Sequence, residues 1–173
     1  MYVTPAHLAD GSDSLKELSE LYGVDAPLLA AVIAGGDTGA WPADDVAAAS
    51  EALASIQRFI VQADGEVDAR LAQRGYPLPQ DAAQFPILTV WARAIARYHL
   101  HRQRDKTSEE TGRIERDYRD ALRALDQVAA GKLSLGVNDP LAPAPADPDD
   151  PGTGSTRLIS NERMFSRKTL GAL

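Results

Sequence analysis

Pro42 to Gly75 reads PADDVAAASEALASIQRFIVQADGEVDARLAQRG, and the spacing of its apolar residues decides the fold class. Val46, Ala49, Leu53, Ile56, Ile60, Ala63, Val67 and Leu71 recur at intervals of three and four. That spacing gathers them on one face of a single long helix reaching about Arg74. Asp44 and Asp45 fall near its start, where carboxylates favour the positive end of the helix dipole. Gly65 costs roughly 1 kcal/mol against alanine inside a helix, so it marks a place for a kink or break. Gly75 ends the run, and Tyr76-Pro77-Leu78-Pro79 forces an extended turn.

Downstream, two more long amphipathic helices are predicted. The first, about Phe85 to Arg104, carries Leu88, Trp91, Ile95 and Tyr98 on one stripe. Thr107 and Glu110 have capping-box spacing for the second, which shows Ile114, Tyr118, Leu122, Leu125 and Val128 and fades at Gly131. Upstream the signals are shorter. Thr4-Pro5 opens a turn of helix to about Asp10. Ser12 or Ser14 caps a second helix through Leu15, Leu18 and Leu21, closed by Gly23. Asp25-Ala26-Pro27 starts a third with Leu28, Leu29, Val32 and Ile33, stopped by Gly35-Gly36, and Gly35 to Trp41 reads as a surface loop. The expected fold is all-α: an antiparallel bundle of three long helices plus short N-terminal helices, with an extended C-terminal arm.

The arm follows from a change of character after Gly136, which separates a helical core, 1–136, from a spacer and tail, 137–173. Asp139 to Pro151 holds five prolines and four aspartates, followed by Gly152-Thr153-Gly154-Ser155. Such a segment buries too little apolar surface to offset its ordering entropy. Thr156 to Leu173 then regains Leu158, Ile159, Met164, Phe165, Leu170 and Leu173, with Arg157, Arg163, Arg167 and Lys168 against Glu162 alone. An acidic spacer ending in a basic, apolar peptide reads as a tethered binding segment.

Composition narrows the function classes. The 173 residues are 44% hydrophobic, 25% charged and only 6% aromatic, without cysteine, so disulfides and thiolate metal sites are excluded. Met1 to Pro5 has neither the basic start nor the apolar run of a signal peptide, and no apolar stretch is long enough for a membrane span. A formal net charge of −7 argues against a general DNA-gripping surface, though not against a protein that surrounds DNA.

Motifs for chemistry are few. Gly35-Gly36-Asp37-Thr38-Gly39 lacks the lysine and the strand of a phosphate loop, and neither a nucleophile elbow nor an H-E-x-x-H pair occurs. His99 and His101 lie about 200° apart around a helix and cannot share a metal; solvated or stacked positions beside Arg97 and Arg102 are expected. Asp64, Glu66 and Asp68 read as a solvated polar face opposite Val67 and Leu71. Arg93, Arg97, Arg102, Arg104 and Lys106 make one helix basic. Pairing with Glu109 and Glu110 or with an adjacent subunit is the expectation, and nucleic-acid contact by a packaging or regulatory factor is the runner-up. No catalytic residue, metal or cofactor is assigned.

Several fragments in order resemble the Mu-like bacteriophage neck, or head–tail adaptor, family. They are Met1 to Leu8 (MYVTPAHL), Glu66 to Pro79 (EVDARLAQRGYPLP), Ala94 to Leu100 (AIARYHL), Tyr118 to Leu122 (YRDAL), Gly131 to Gly136 (GKLSLG) and Arg163 to Leu170 (RMFSRKTL). The chain departs from that pattern at Gly35 to Val46, where it is longer and richer in alanine. The resemblance implies a structural, non-enzymatic virion protein at the head–tail interface, assembled in the host cytoplasm. It further implies a ring, typically a dodecamer, docked on the portal, with DNA passing through its channel. The next neck protein or a tail terminator would bind the opposite side. On this reading the C-terminal segment reaches the portal, with Arg163, Met164, Phe165, Arg167, Lys168 and Leu170 as contacts, while Arg93, Arg97, Arg102 and Arg104 face the adjacent subunit. About 20 spacer residues at roughly 3 Å each can cross about 60 Å.

Overall fold

The computed structural model describes residues 1–102, 109–136 and 139. Among these the secondary structure is helical, in six segments, with no strand. They belong to one compact unit, Met1–Leu141; the second unit, Ala142–Leu173, lies outside the described residues.

The N-terminal signals are legible in the caps. Thr4 is extended, its hydroxyl accepts from the His7 N–H at 3.3 Å, and the His7 ring accepts from the Thr4 N–H. Pro5 then opens α1 (Pro5–Leu8). The second helix, α2 (Ser12–Tyr22), is preceded by Gly11 rather than capped by a serine side chain, and Gly23, left-handed at φ 64°, closes it. Next, α3 (Ala26–Ala34) buries Leu28 and Leu29 completely and ends at Gly35, again left-handed.

The long helix, α4 (Ala43–Arg74), passes through Gly65 without a break. Its 32 residues make a rod of about 48 Å. Gly65 is exposed and a Cβ added there would meet nothing within 4 Å, so one glycine there costs propensity but removes no packing. The buried face is Ala49, Ala52, Ile56, Ile60, Ala63, Val67 and Leu71; Val46 and Leu53 are half-buried, with Ala52 taking the inward place beside Leu53. Gly75, at φ 91°, lets the Tyr76 N–H reach back to the Leu71 carbonyl at 3.0 Å, which turns the chain and buries Tyr76.

The remaining helices are α5 (Pro86–His101) and α6 (Glu109–Ala129). Helix α5 is sheathed on most sides, burying Leu88, Trp91, Ala92, Ile95, Ala96, His99, Leu100 and His101. Helix α6 contributes Ile114, Ala121, Leu125 and Val128. Thr107 of the expected capping box lies outside the described residues. Helices α4, α5 and α6 pack pairwise, α3 and α1 lie on α4, and α2 joins through α3. Tyr2 and Val3, at 1% and 0% exposed, enter the same core ahead of the first helix. Each fully buried Ile or Leu contributes roughly 1.5–3 kcal/mol by transfer from water.

Candidate functional site

Two polar clusters and the exit of the chain from the helical unit are the candidates. The first cluster surrounds the end of α5. Arg97 donates from Nε to Glu17 Oε1 at 3.1 Å and from Nη2 to Glu17 Oε2, tying α5 to α2. His101 Nε2 lies 2.6 Å from Glu17 Oε1. Burial alone would raise the Glu17 carboxyl, but the N–H groups and charges of His101 and Arg97 override it and hold it down at about 2. On the opposite side His99 Nε2 meets Glu66 Oε1 at 2.7 Å, with Gln62 beside the ring. Tyr98 and Tyr118 stack face to face, centroids 3.9 Å apart, and His99 packs edge-on against both.

The second cluster holds the N-terminal segment onto α4. The Tyr2 N–H donates to both oxygens of Asp64, at 3.1 and 3.2 Å. The Tyr2 hydroxyl donates to Asp68 and accepts from the Gln80 N–H at 3.2 Å. Burial pushes the Tyr2 phenol well up, and the hydrogen bond to Asp68 pushes it further. Burial also raises the Asp64 carboxyl, against the opposing pull of the Tyr2 N–H.

At the exit, the chain after α6 folds back over the end of α4. Gln127 accepts from the N–H groups of Lys132 and Leu133, at 2.8 and 3.1 Å, through its carbonyl oxygen. The Leu135 N–H donates to the Tyr76 hydroxyl at 3.2 Å. Arg74 grips Asp139 with Nε at 3.0 Å and Nη2 at 3.1 Å, and the carboxylate is 3% exposed. Gly131, at φ 71°, lies under this arginine: a Cβ there would sit 2.3 Å from its Nη1.

Residues 2–150 match the sequence family described as Bacteriophage Mu, Gp36. The chain belongs to that family. It is a Mu-like phage protein. The match to the Gp36 family takes in the whole helical unit and the chain's exit from it. The Mu-like prophage FluMu protein gp36 of Haemophilus influenzae (strain ATCC 51907 / DSM 11121 / KW20 / Rd) is 34% identical over 86 residues, covering 50% of this chain and 56% of that relative. The chain thus spans just over half the length of the curated relative it matches. No solved structure matches.

The residues singled out from sequence fall in three places. Arg93, half-buried, approaches Ser14 Oγ at 3.4 Å, and Arg97 is taken by Glu17; both partners lie on α2 of the same chain. Arg102 follows α5 and is exposed. Arg104, Lys106, Arg163, Met164, Phe165, Arg167, Lys168 and Leu170 lie outside the described residues. Of the histidines expected to be solvated or stacked, His99 is buried and packs edge-on against Tyr98 and Tyr118. Two expectations are corrected: His101 is neither solvated nor stacked but buried at 6% exposed against Glu17. Asp64, Glu66 and Asp68 are not a solvated face: they receive Tyr2, His99 and again Tyr2. Glu17 and Tyr2 escaped notice because their partners lie 80 and 66 residues away in sequence. The Gly35 to Trp41 loop is closed by local bonds, Gly39 N–H to Asp37 Oδ1 at 2.9 Å and Trp41 N–H to the Thr38 carbonyl at 3.1 Å. Among the described residues no helix is long and apolar enough to cross a membrane.

Proposed function

We propose that the chain is a structural head–tail connector, an adaptor subunit that forms a ring on the portal and joins the phage head to the tail, with no enzymatic role. Membership of the Mu Gp36 family is the observation that carries this reading. In it, α4, α5 and α6 form an antiparallel three-helix wall. The pairing of Arg70 with Asp126 at 3.0 Å, each in the last turns of its helix, supports α4 and α6 running side by side in one direction. Neighbours in a closed ring meet through unlike patches, and the rotation must close. The segment 156–173 docks on the portal, with Met164, Phe165 and Leu170 as apolar anchors and Arg163, Arg167 and Lys168 as charged donors. A tether raises effective concentration, so many copies act together at modest affinity each.

The acidic balance suits a conduit, since DNA is repelled from a negatively lined wall. Arg93 and Arg97, central to a nucleic-acid reading, are turned to Ser14 and Glu17, which leaves that helix little to offer phosphates. The next neck protein or tail terminator binds the opposite face of the ring, placing the subunit at the head–tail interface of the virion. Deleting 156–173 tests the docking step: the shortened chain is expected to keep its helical content and melting temperature yet no longer co-sediment with portal rings. Full docking by the shortened chain overturns the tail's role.

A further inference from the structure

We propose that the arginine-bearing outer face of α6 docks on the acidic lobe formed by α3 and the start of α4 in a second copy of this chain. This deepens the ring-forming part of the reading above, on which it rests, by naming the two surfaces that meet.

Charge is distributed unevenly along the chain. From Glu17 to Gln57 there are seven carboxylates and no lysine or arginine. Glu17 is engaged by Arg97, whereas Glu20, Asp25, Asp37, Asp44, Asp45 and Glu51 are all exposed. They fall at the end of α2, the start of α3, the loop after it and the first turns of α4. Among the described residues Glu20 has a cation in reach, Lys16 at 3.9 Å, and the other five have no ion-pair partner.

The opposite sign gathers on α6. Arg113, Arg116, Arg119 and Arg123 follow at three and four residues, all exposed, on the face turned away from the buried Ile114, Ala121, Leu125 and Val128. Arg119 pairs with Glu115 at 2.8 Å and Arg123 with Asp120 at 3.3 Å; such exposed pairs hold little free energy and are readily exchanged. Among the described residues Arg113 has no bonded partner, and Arg116 reaches only the Gly112 carbonyl of its own helix, at 3.3 Å. Arg93 and Arg97, turned to Ser14 and Glu17, take no part.

The two surfaces do not neutralise each other within one chain. Helix α6 packs on α4 and α5, and α3 on α4, α2 and α1. Asp126 of α6 pairs with Arg70 near the end of α4, whereas Asp44 lies at its start, roughly 40 Å away along the axis. A second copy brings the unspent charges together, and their complementarity fixes orientation and partner choice. Because the surfaces differ, a copy that docks its α6 keeps its own lobe open for a third, the connectivity a closed ring requires. Asp117 and Asp120, bordering the stripe, and the net charge of −7 disfavour a nucleic-acid backbone as the occupant.

Sedimentation velocity of the full-length chain at low ionic strength tests this. The unaltered chain is expected to associate and to come apart as salt rises, since exposed charges are screened beyond about 10 Å at 0.1 M. One variant carries Arg113→Glu, Arg116→Glu and Arg119→Glu; the other carries Asp44→Lys, Asp45→Lys and Glu51→Lys. Each alone is expected to keep its helical content and to associate about tenfold more weakly or worse. Mixed, they set reversed surface against reversed and native against native, so association is expected to return, which misfolded chains could not achieve. A monomeric unaltered chain, association that salt leaves untouched, or a mixture as weak as its components overturns the proposal. So does duplex-DNA binding that the arginine reversals abolish in a chain that does not self-associate. No portal enters the assay, so failure here leaves portal docking by the tail standing, and failure of that docking leaves this interface standing.

Discussion

Glu17, its carboxylate 11% exposed, sits between Arg97 and His101, and its ionisation is part of what fastens α2 to α5. Its carboxyl is held at about 2 against an ordinary 4.5. A depressed carboxyl contributes stability that is complete above pH 4.5 and is lost as pH falls from there toward 2. Glu17→Gln is accordingly expected to cost up to about 3 kcal/mol at pH 7, and the gap to the unaltered chain should close toward pH 2. Urea unfolding across that range measures it; a gap that persists unchanged at pH 2 removes the ionic explanation. Tyr2→Phe strips a buried hydroxyl from Asp68 and the Gln80 N–H, and roughly 1–3 kcal/mol of destabilisation is expected in the same assay. Neither residue could be ranked from sequence. Glu17 has the ordinary pattern of an exposed helical charge, and only the tertiary approach of α5 turns it inward. The same holds for Asp64 and Asp68, whose place one turn apart on α4 is compatible with solvent until Tyr2 arrives between them.

Helices were the legible level. The three-and-four spacing along α4 names Ala49, Ile56, Ile60, Ala63, Val67 and Leu71 as inward residues because burial and periodicity have the same cause. Gly23, Gly35 and Gly75 mark helix ends because a left-handed closing residue favours glycine. Gly65 is ambiguous for a physical reason: propensity taxes a glycine the same whether the helix breaks or not, and here the helix continues through it with Ala63 and Val67 buried on either side. Gly65→Ala is therefore expected to stabilise the chain by about 0.5–1 kcal/mol, because the site is helical and open. A lower melting temperature for that variant would contradict an unbroken α4. Ile60→Ala, at a fully buried position on the same rod, is expected to cost about 2–5 kcal/mol.

For the molecule as a whole, the sequence separates a helical body from a Pro- and Asp-rich continuation by composition, but the grip of Arg74 on Asp139 depends on a fold-back that no local pattern encodes. The arginines of α5 illustrate the same limit: clustering in sequence suggested one basic surface, whereas Arg93 and Arg97 turn to α2 and Arg102 to solvent. A chain of net charge −7 with Arg93 and Arg97 engaged is expected to show no measurable duplex-DNA affinity at low salt. Tight binding with a steep salt slope would favour the packaging-factor alternative instead. The parallel rings of Tyr98 and Tyr118 carry a different consequence. Two phenols 3.9 Å apart and 6° from parallel couple their electronic transitions, giving α5 and α6 a shared optical signature in near-ultraviolet circular dichroism. Silencing either ring by exchange for leucine should erase that band, and following it during assembly would reveal whether the body stays rigid or opens as subunits come together.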